Sequence, residues 1–583
     1  MWFCTANLYI GAYQMKLRNN LKKEKPSKVI TDLRHLVKAT AEEEGDRDLY
    51  IYKEGSEFIG YTFNQLWNEM NYLGTAFSKL SIMGKAVAVS GDSRPQYVTT
   101  YLTTVNGNGC IVPIDKDLSV ETIADFLEIS KAVAFVYSGN MNKIVPELAK
   151  IAHGIEYFIP LQPAEDYKFS DKVITFAELI AMGKEALDGG DTSYTDIEID
   201  MDNVCALLFT SGTTGTSKAV MLTHKNLTAA TNSATQSMEY DNKNTFVAVL
   251  PLHHSYEMTC LHLAGLNIGA QKFINDSLKH VVKNMQLYKP NTMCLVPLFV
   301  ETMHKKIWDG IRKQKKEKLV RFLMGVTKVL LPLHIDPRKL FFGKITETLG
   351  GNLKSIVCGG APLSPELVMD FHLFGITIVE GYGITECSPL VAVNRPSKIK
   401  LHSVGTPVEN CQVKIDVTNE DGTGEILVKG DNVMLGYYNN PEANAEVFTE
   451  DGWFRTGDIG YMDKDDAIYI TGRKKNVIIL SNGKNVFPEE LEEHLATVPE
   501  ILESVVLTRE ADNGEKIITA IIVPNKELLG DKTDDEIYAF IKDAVNNKVN
   551  PKLPSFKQMR RIEIRNEPFE RTTSKKIMRF KVK

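Results

Sequence analysis

The residues best suited to chemistry form one run, Phe209-Thr210-Ser211-Gly212-Thr213-Thr214-Gly215-Thr216-Ser217-Lys218. Its glycines let backbone N–H groups turn inward, its hydroxyls add donors, and its lysine adds a mobile point charge. That inventory suits a polyphosphate. The spacing is not G-x-x-x-x-G-K-[ST], because Lys218 follows Gly215 by three. Apolar residues on both sides, Ala206 to Phe209 and Ala219 to Leu222, predict strand–loop–strand rather than strand–loop–helix. A flexible linker would not be pinned between two apolar strands. The run therefore points to nucleotide binding outside the Walker class.

Two more glycine turns follow short apolar runs: Ile356-Val357-Cys358-Gly359-Gly360-Ala361-Pro362 and Glu380-Gly381-Tyr382-Gly383-Ile384-Thr385-Glu386. Open α/β sheets place ligands at such strand ends. Glycine permits close approach to a flat base, Tyr382 offers a stacking face, and Glu386 could hold Mg²⁺ on phosphate oxygens. Further on, Asp458 closes the turn that starts at Gly452 and could accept hydrogen bonds from ribose hydroxyls. Charge then concentrates at Gly472-Arg473-Lys474-Lys475-Asn476. A fifth cluster, Leu252-His253-His254-Ser255-Tyr256-Glu257 with Cys260 and His262, raises the question of zinc. Its spacing fits neither H-E-x-x-H nor a paired Cys/His site. It reads as the lining of a substrate pocket, with a structural histidine as the alternative.

The elements that must position these residues are legible in the periodicity. Helical spacing runs over Phe63–Leu80 and Ser93–Asn106, with Ala86–Val89 a buried strand between them and Gly107–Pro113 a turn into the next strand. Such alternation predicts a parallel sheet covered on both faces. The stretch 163–202 is polar and reads as a surface excursion. Lys225–Gln236 is a predicted helix and Phe246–Leu250 a strand. Beyond Asn394, short strands and turns predict a small β unit. The last ~110 residues predict a compact α+β module.

At 583 residues the chain exceeds a single core. A formal charge of −6 gives no case for nucleic-acid binding. The 8 cysteines are scattered without a C-x-x-C pair, as expected of reduced thiols in a cytoplasmic protein. No apolar run reaches the ~18 residues of a transmembrane helix. The basic residues of the N-terminal stretch follow its apolar part, unlike a secretory signal. Residues 301–345 carry Lys305, Lys306, Arg312, Lys313, Lys315, Lys316, Lys318 and Arg321, interleaved with Trp308, Ile311, Leu319, Phe322 and Leu323. They read either as a solvated helix face or as a patch, centred on 301–321, for an anionic membrane or an acidic carrier protein.

Taken together, Thr210–Lys218, Glu380–Glu386, Gly452–Asp458 and Gly472-Arg473 resemble the adenylate-forming superfamily, from about residue 60 to the C-terminus. Pro251–Glu257 and the basic stretch around 301–345 resemble its long-chain fatty acyl-CoA synthetase branch. The resemblance implies an α/β architecture: a large N-terminal domain of two doubly wound lobes plus a β-barrel (1–474, the barrel over about 395–472), and a small mobile α+β domain (475–583). It implies an AMP-forming ligase joining a fatty acid to coenzyme A, with ATP and Mg²⁺. A transfer to acyl carrier protein and a non-catalytic nucleotide-binding protein are the alternatives.

Residue by residue, the resemblance assigns the β- and γ-phosphates to Thr210, Ser211, Gly212, Thr213, Thr214, Gly215 and Lys218. It assigns adenine to Gly359, Gly360, Ala361 and the Glu380-Gly381-Tyr382-Gly383 segment, the α-phosphate to Thr385, and Mg²⁺ to Glu386. Asp458 and Arg473 would hold ribose, Lys475 would be the hinge, and Gly483 would lie in the loop facing the thiol. His254 and Lys576 join Thr385 and Glu386 as catalytic residues. The family usually has glycine before that lysine; here Lys575 stands there, and Ile577 and Arg579 favour Lys576 as the match.

Overall fold

The structure is a computed structural model that describes residues 28–165, 167–210, 217–417, 422–480, 485–510, 516–571 and 577–582. The chain divides into two compact units, one of residues 1–412 and 428–448, the other of 413–427 and 449–583.

The first unit contains two sheets. The nine-stranded one runs Thr406–Pro407, Leu390–Val393, Thr377–Gly383, Ser355–Gly359, Thr292–Leu295, Thr245–Ala248, Gln271–Ile274, Asp48–Glu54, Glu57–Thr62. Its centre is parallel, so the central strands are largely buried and mostly apolar, with Lys272 a buried charged exception. Alternation along a strand decides which cluster a side chain joins. Val247, Met293 and Leu295 pack with Val300, Trp308 and Phe371 from the helices; Phe246, Ala248 and Cys294 point the other way, toward Leu261 and Ala270. The seven-stranded sheet runs Gly436–Tyr437, Lys218–Thr223, Val204–Thr210, Cys110–Ile114, Ala86–Ser90, Ala134–Tyr137, Tyr157–Pro160.

Between residues 163 and 202 the structure corrects the expectation of a surface excursion. Phe176–Asp188 is a helix opened by a Thr175/Glu178 capping box. It lies so close to the helix Phe63–Lys79 that a Cβ on Gly183 would sit 1.7 Å from the Tyr72 carbonyl oxygen. Tyr194 is buried behind it and donates to the Thr103 carbonyl. The polar texture belongs to the outer face of this helix.

In the second unit, Phe454–Met462 and Ile468–Arg473 pair antiparallel within a four-stranded sheet. Ile501–Glu510, Lys516–Pro524 and Arg561–Ile564 form a three-stranded sheet. Leu491 and Leu495 of the helix Pro488–Ala496, and Ile537 and Ile541 of Asp534–Ala544, close a core over Val506, Ile518 and Ile522. Among the described residues no helix is long and apolar enough to cross a membrane.

Candidate active site

The two flanks of the hydroxyl-rich run pair as strands. Val204–Thr210 and Lys218–Thr223 are antiparallel partners with Thr210 opposite Lys218, and Thr210 Oγ1 donates to the Lys218 carbonyl at 3.3 Å. Strand–loop–strand is therefore correct. Ser211, Gly212, Thr213, Thr214 and Gly215 lie outside the described residues, as do Gly483 and Lys576.

What meets Lys218 is a residue that sequence reasoning missed. The ammonium stands 4.7 Å over the ring of Tyr437, and the Tyr437 hydroxyl donates to Glu386 Oε1 at 2.8 Å. Tyr437 belongs to the two-residue strand Gly436–Tyr437, antiparallel to Lys218–Thr223. Asn444 clamps its backbone, accepting from Tyr437 N–H at 2.7 Å and donating to its carbonyl at 3.0 Å. One side chain thus ties the seven-stranded sheet to the turn Thr385–Cys387 that follows Thr377–Gly383 in the other sheet. Lysine, phenol and carboxylate form a cation–π pair joined to a charge-assisted hydrogen bond. Gly436 and Tyr437 stand over two hundred residues from Lys218, so no local pattern advertises the contact.

The glycine turns are adjacent. Gly359 ends its strand opposite Gly381 in the parallel register, and Cys358 faces Glu380. Tyr256 reaches beneath them, its hydroxyl donating to the Val357 carbonyl at 3.1 Å. At Gly360 φ is +99°, which requires glycine; Ala361 follows in the same turn. Gly383 has a different reason. A Cβ there would lie 2.4 Å from the Pro389 carbonyl oxygen, so the glycine admits the neighbouring chain of the protein itself rather than a base. Tyr382 is mostly buried within its strand.

His253 and His254 follow Thr245–Ala248 with ring centroids 4.2 Å apart. His253 Nε2 is 3.6 Å from Asp115 Oδ2, beyond hydrogen-bond reach. Burial pushes the imidazole pKa down against the pull of Asp115 and Asp117. Glu257 and His262 depart from the expected pocket lining. Both lie in the π-helical turn Tyr256–Leu263 and face the core, fully buried. His262 Nδ1 meets the Tyr50 hydroxyl at 3.0 Å.

In the second unit Asp458 and Arg473 are cross-strand partners, with Arg473 Nε 2.6 Å from Asp458 Oδ1. Sequence reasoning assigned both to one task, and the register sets them side by side. Beside them Glu425, which it did not single out, receives Arg455 Nη1 at 3.1 Å, Lys474 Nζ at 2.9 Å and the Gly457 N–H at 3.2 Å. Lys475 is exposed in the turn Lys474–Asn476.

Among the described residues no three His, Cys, Asp or Glu gather to hold a metal by themselves. A single anchored carboxylate, Glu386, is nonetheless the donor set that fits Mg²⁺, which takes most of its oxygens from phosphate and water.

These features define a class, and the comparisons agree. Residues 37–438 match the AMP-binding enzyme family, and residues 475–583 match the AMP-binding enzyme C-terminal domain. The chain belongs to the AMP-binding enzyme family. It is an AMP-forming acid–thiol ligase. Fatty acyl-CoA synthetase A of Dictyostelium discoideum is 26% identical over 562 residues, covering 90% of this chain and 83% of that relative. The chloroplastic long-chain-fatty-acid–[acyl-carrier-protein] ligase AEE15 of Arabidopsis thaliana is 27% identical over 558 residues, covering 84% of this chain and 76% of that relative. The crystal structure of the anthranilate CoA ligase AuaEII in complex with anthranoyl-AMP shares the fold, with a TM-score of 0.73 at 18% identity over 95% of this chain and 97% of that one.

Proposed function

We propose that this chain is a long-chain fatty acid–CoA ligase, converting the acid and ATP to acyl-adenylate and pyrophosphate and then passing the acyl group to the CoA thiol. The observation that carries the reading is the Lys218–Tyr437–Glu386 contact at the root of the hydroxyl-rich loop. The choice of acid is supported by the relative, named a fatty acyl-CoA synthetase, that matches 90% of the chain.

In this reading Thr210, Ser211–Gly215 and Lys218 take the β- and γ-phosphates and Thr385 the α-phosphate. Gly359, Gly360, Ala361 and Glu380–Gly383 frame adenine, Asp458 and Arg473 hold ribose, and His254 faces the acid. Glu386 would hold Mg²⁺, which would supply neutralising charge on phosphate oxygens. Carboxylate and α-phosphate are both anionic, so Lys576 offsets their repulsion as a carboxylate oxygen bonds to phosphorus and the bond to pyrophosphate breaks. The thiolate sulfur then bonds to the acyl carbon and AMP leaves. No protein nucleophile is required. Lys475 is the proposed hinge between domains 1–474 and 475–583, and Gly483 the proposed neighbour of the thiol. Among the described residues the free cysteines, six of them buried, suit a reducing cytoplasm.

A second reading, transfer to an acyl carrier protein, is favoured by the match to the Arabidopsis carrier-protein ligase. Pyrophosphate release with a panel of fatty acids, with CoA or with carrier protein, beside Lys576→Ala, separates the readings. Long-chain-dependent release that yields acyl-CoA and is lost in the variant supports the first. Thioester formed only on carrier protein supports the second, and release with no fatty acid overturns both.

A further inference from the structure

The helix Glu317–Leu330 is apolar on two opposite faces. Val320, Met324 and Thr327 point into the core beside Trp308 and Phe342. Leu319, Phe322, Val326 and Val329 recur at the same helical spacing on the other side. Phe322 is 67% exposed and Val329 66%. The chain beyond continues the outer stripe with exposed Leu333 and Ile335, then Leu340 at 84% in the helix Arg338–Thr348. A core-packing helix leaves one apolar face at most; this segment leaves a second one in water.

Cations border that stripe. Residues 312–344 hold ten lysines and arginines against two acids, a balance of +8 in a chain whose total is −6. Arg321 is committed to Glu317 at 2.8 Å and to the Trp308 ring at 4.5 Å. Lys318, Lys328, Lys339 and Lys344 are exposed.

We infer that the outer face of Glu317–Leu330, with the following segment to Lys344, seats this protein on an anionic lipid bilayer. Its apolar side chains enter the acyl boundary while the lysines meet lipid phosphates and carboxylates. The relief of the surface favours a bilayer over an acidic protein. Its apolar side chains form one stripe along the helix and the segment beyond it, bordered by exposed lysines, which is the arrangement of a helix lying in a membrane interface. The cavity of about 650 Å³ that borders the segment at Leu331 and Ile335 is of mixed charge: Glu239, Asp241 and Asp336 share it with Lys243, Arg338 and Lys354. It therefore offers an acidic partner no electrostatic preference. The proposal is independent of which acid is activated.

The test is flotation of the full chain with phosphatidylcholine vesicles, with and without phosphatidylserine, at low and high salt. Binding is expected only with phosphatidylserine and is expected to weaken with salt. Phe322→Ser/Val329→Ser/Leu340→Ser should reduce it more than tenfold. Lys318→Glu/Lys328→Glu/Lys344→Glu should do at least as much, since each cation contributes about fivefold. All six positions are exposed, so both variants should keep the wild-type melting temperature and the turnover of a short, water-soluble acid. Absence of flotation with phosphatidylserine vesicles overturns the proposal. So does flotation that survives both triple variants, or an acidic carrier protein that binds this face while vesicles do not.

Discussion

Tyr437→Phe is the sharpest test of the site. It deletes one oxygen and leaves the ring under Lys218 and the Asn444 clamp on the backbone. What it removes is the 2.8 Å hydrogen bond to Glu386. A hydrogen bond to a charged group contributes about 1.5–3 kcal/mol. If Glu386 must be aimed at a metal and phosphate pair, losing its anchor should lower kcat/KM for MgATP by roughly tenfold to a hundredfold. The requirement for free Mg²⁺ should rise with it, because the carboxylate must then be ordered by the ion alone. Tyr437→Ala would be a poorer probe, since truncating a buried aromatic costs about 3–5 kcal/mol in packing. The assay is pyrophosphate release at varied MgATP and varied free Mg²⁺, with thermal melting as the control for folding. A Phe variant that melts like the wild type and keeps its kcat/KM and Mg²⁺ dependence would refute the assignment of this contact to catalysis.

Asp458→Asn keeps the shape of the cross-strand pair and removes its charge. With Arg473 2.6 Å away and Asp458 almost wholly buried, KM for ATP should rise about tenfold, from a loss of about 1.5 kcal/mol, read in the same assay with kcat less affected. Glu492 has its pKa pushed up to about 7 by burial, against the pull of Arg579 and the Val506 N–H and with Glu489 adding to the rise. The folded state therefore binds a proton that the unfolded state releases near the ordinary carboxyl value. The associated stability is present at acid pH and lost as pH rises through 7, roughly 3 kcal/mol across the window. The protection of Ile501–Glu510 amides against hydrogen exchange, relative to the unstructured rate at each pH, should fall from pH 5 to 8, because the Val506 N–H bonds to Glu492 at 2.6 Å, and Glu492→Gln should remove that fall. Lys272 is fully buried, with burial and then Arg47 driving its pKa well below the usual lysine range. Lys272→Met should leave the melting temperature unchanged or raise it, by up to about 1–4 kcal/mol of stability; a large fall would mean that the Nζ hydrogen bond to the Ala270 carbonyl at 3.2 Å dominates.

Local chemistry made half of the site legible. Apolar flanks announced the hairpin that ends at Thr210 and restarts at Lys218, and tight turns announced Asp458 and the strand ends at Gly359 and Gly383. Tyr437 was hidden because its strand is two residues long and owes its place to pairing with Val220, a contact that no window of sequence contains. Glu425 was hidden for the same reason, since its three partners come from residues 455, 457 and 474. The helix Phe176–Asp188 was missed because its outward face is polar while Gly183 disguises its inward one.

The glycines show why motif and mechanism have to be separated. Gly360 needs its left-handed backbone and Gly383 needs room for the Pro389 carbonyl, so both would be required even if no nucleotide ever bound. Glycine at those positions builds the turns. In the proposed reading the chemistry lies with the charges, Lys218 over the ring of Tyr437 and Glu386 on its hydroxyl. The buried groups behind the site follow the opposite logic. Burial raises the pKa of Glu257 and lowers those of His262 and Lys272, so each is driven toward its neutral form. The sheet interior thereby contributes little field of its own.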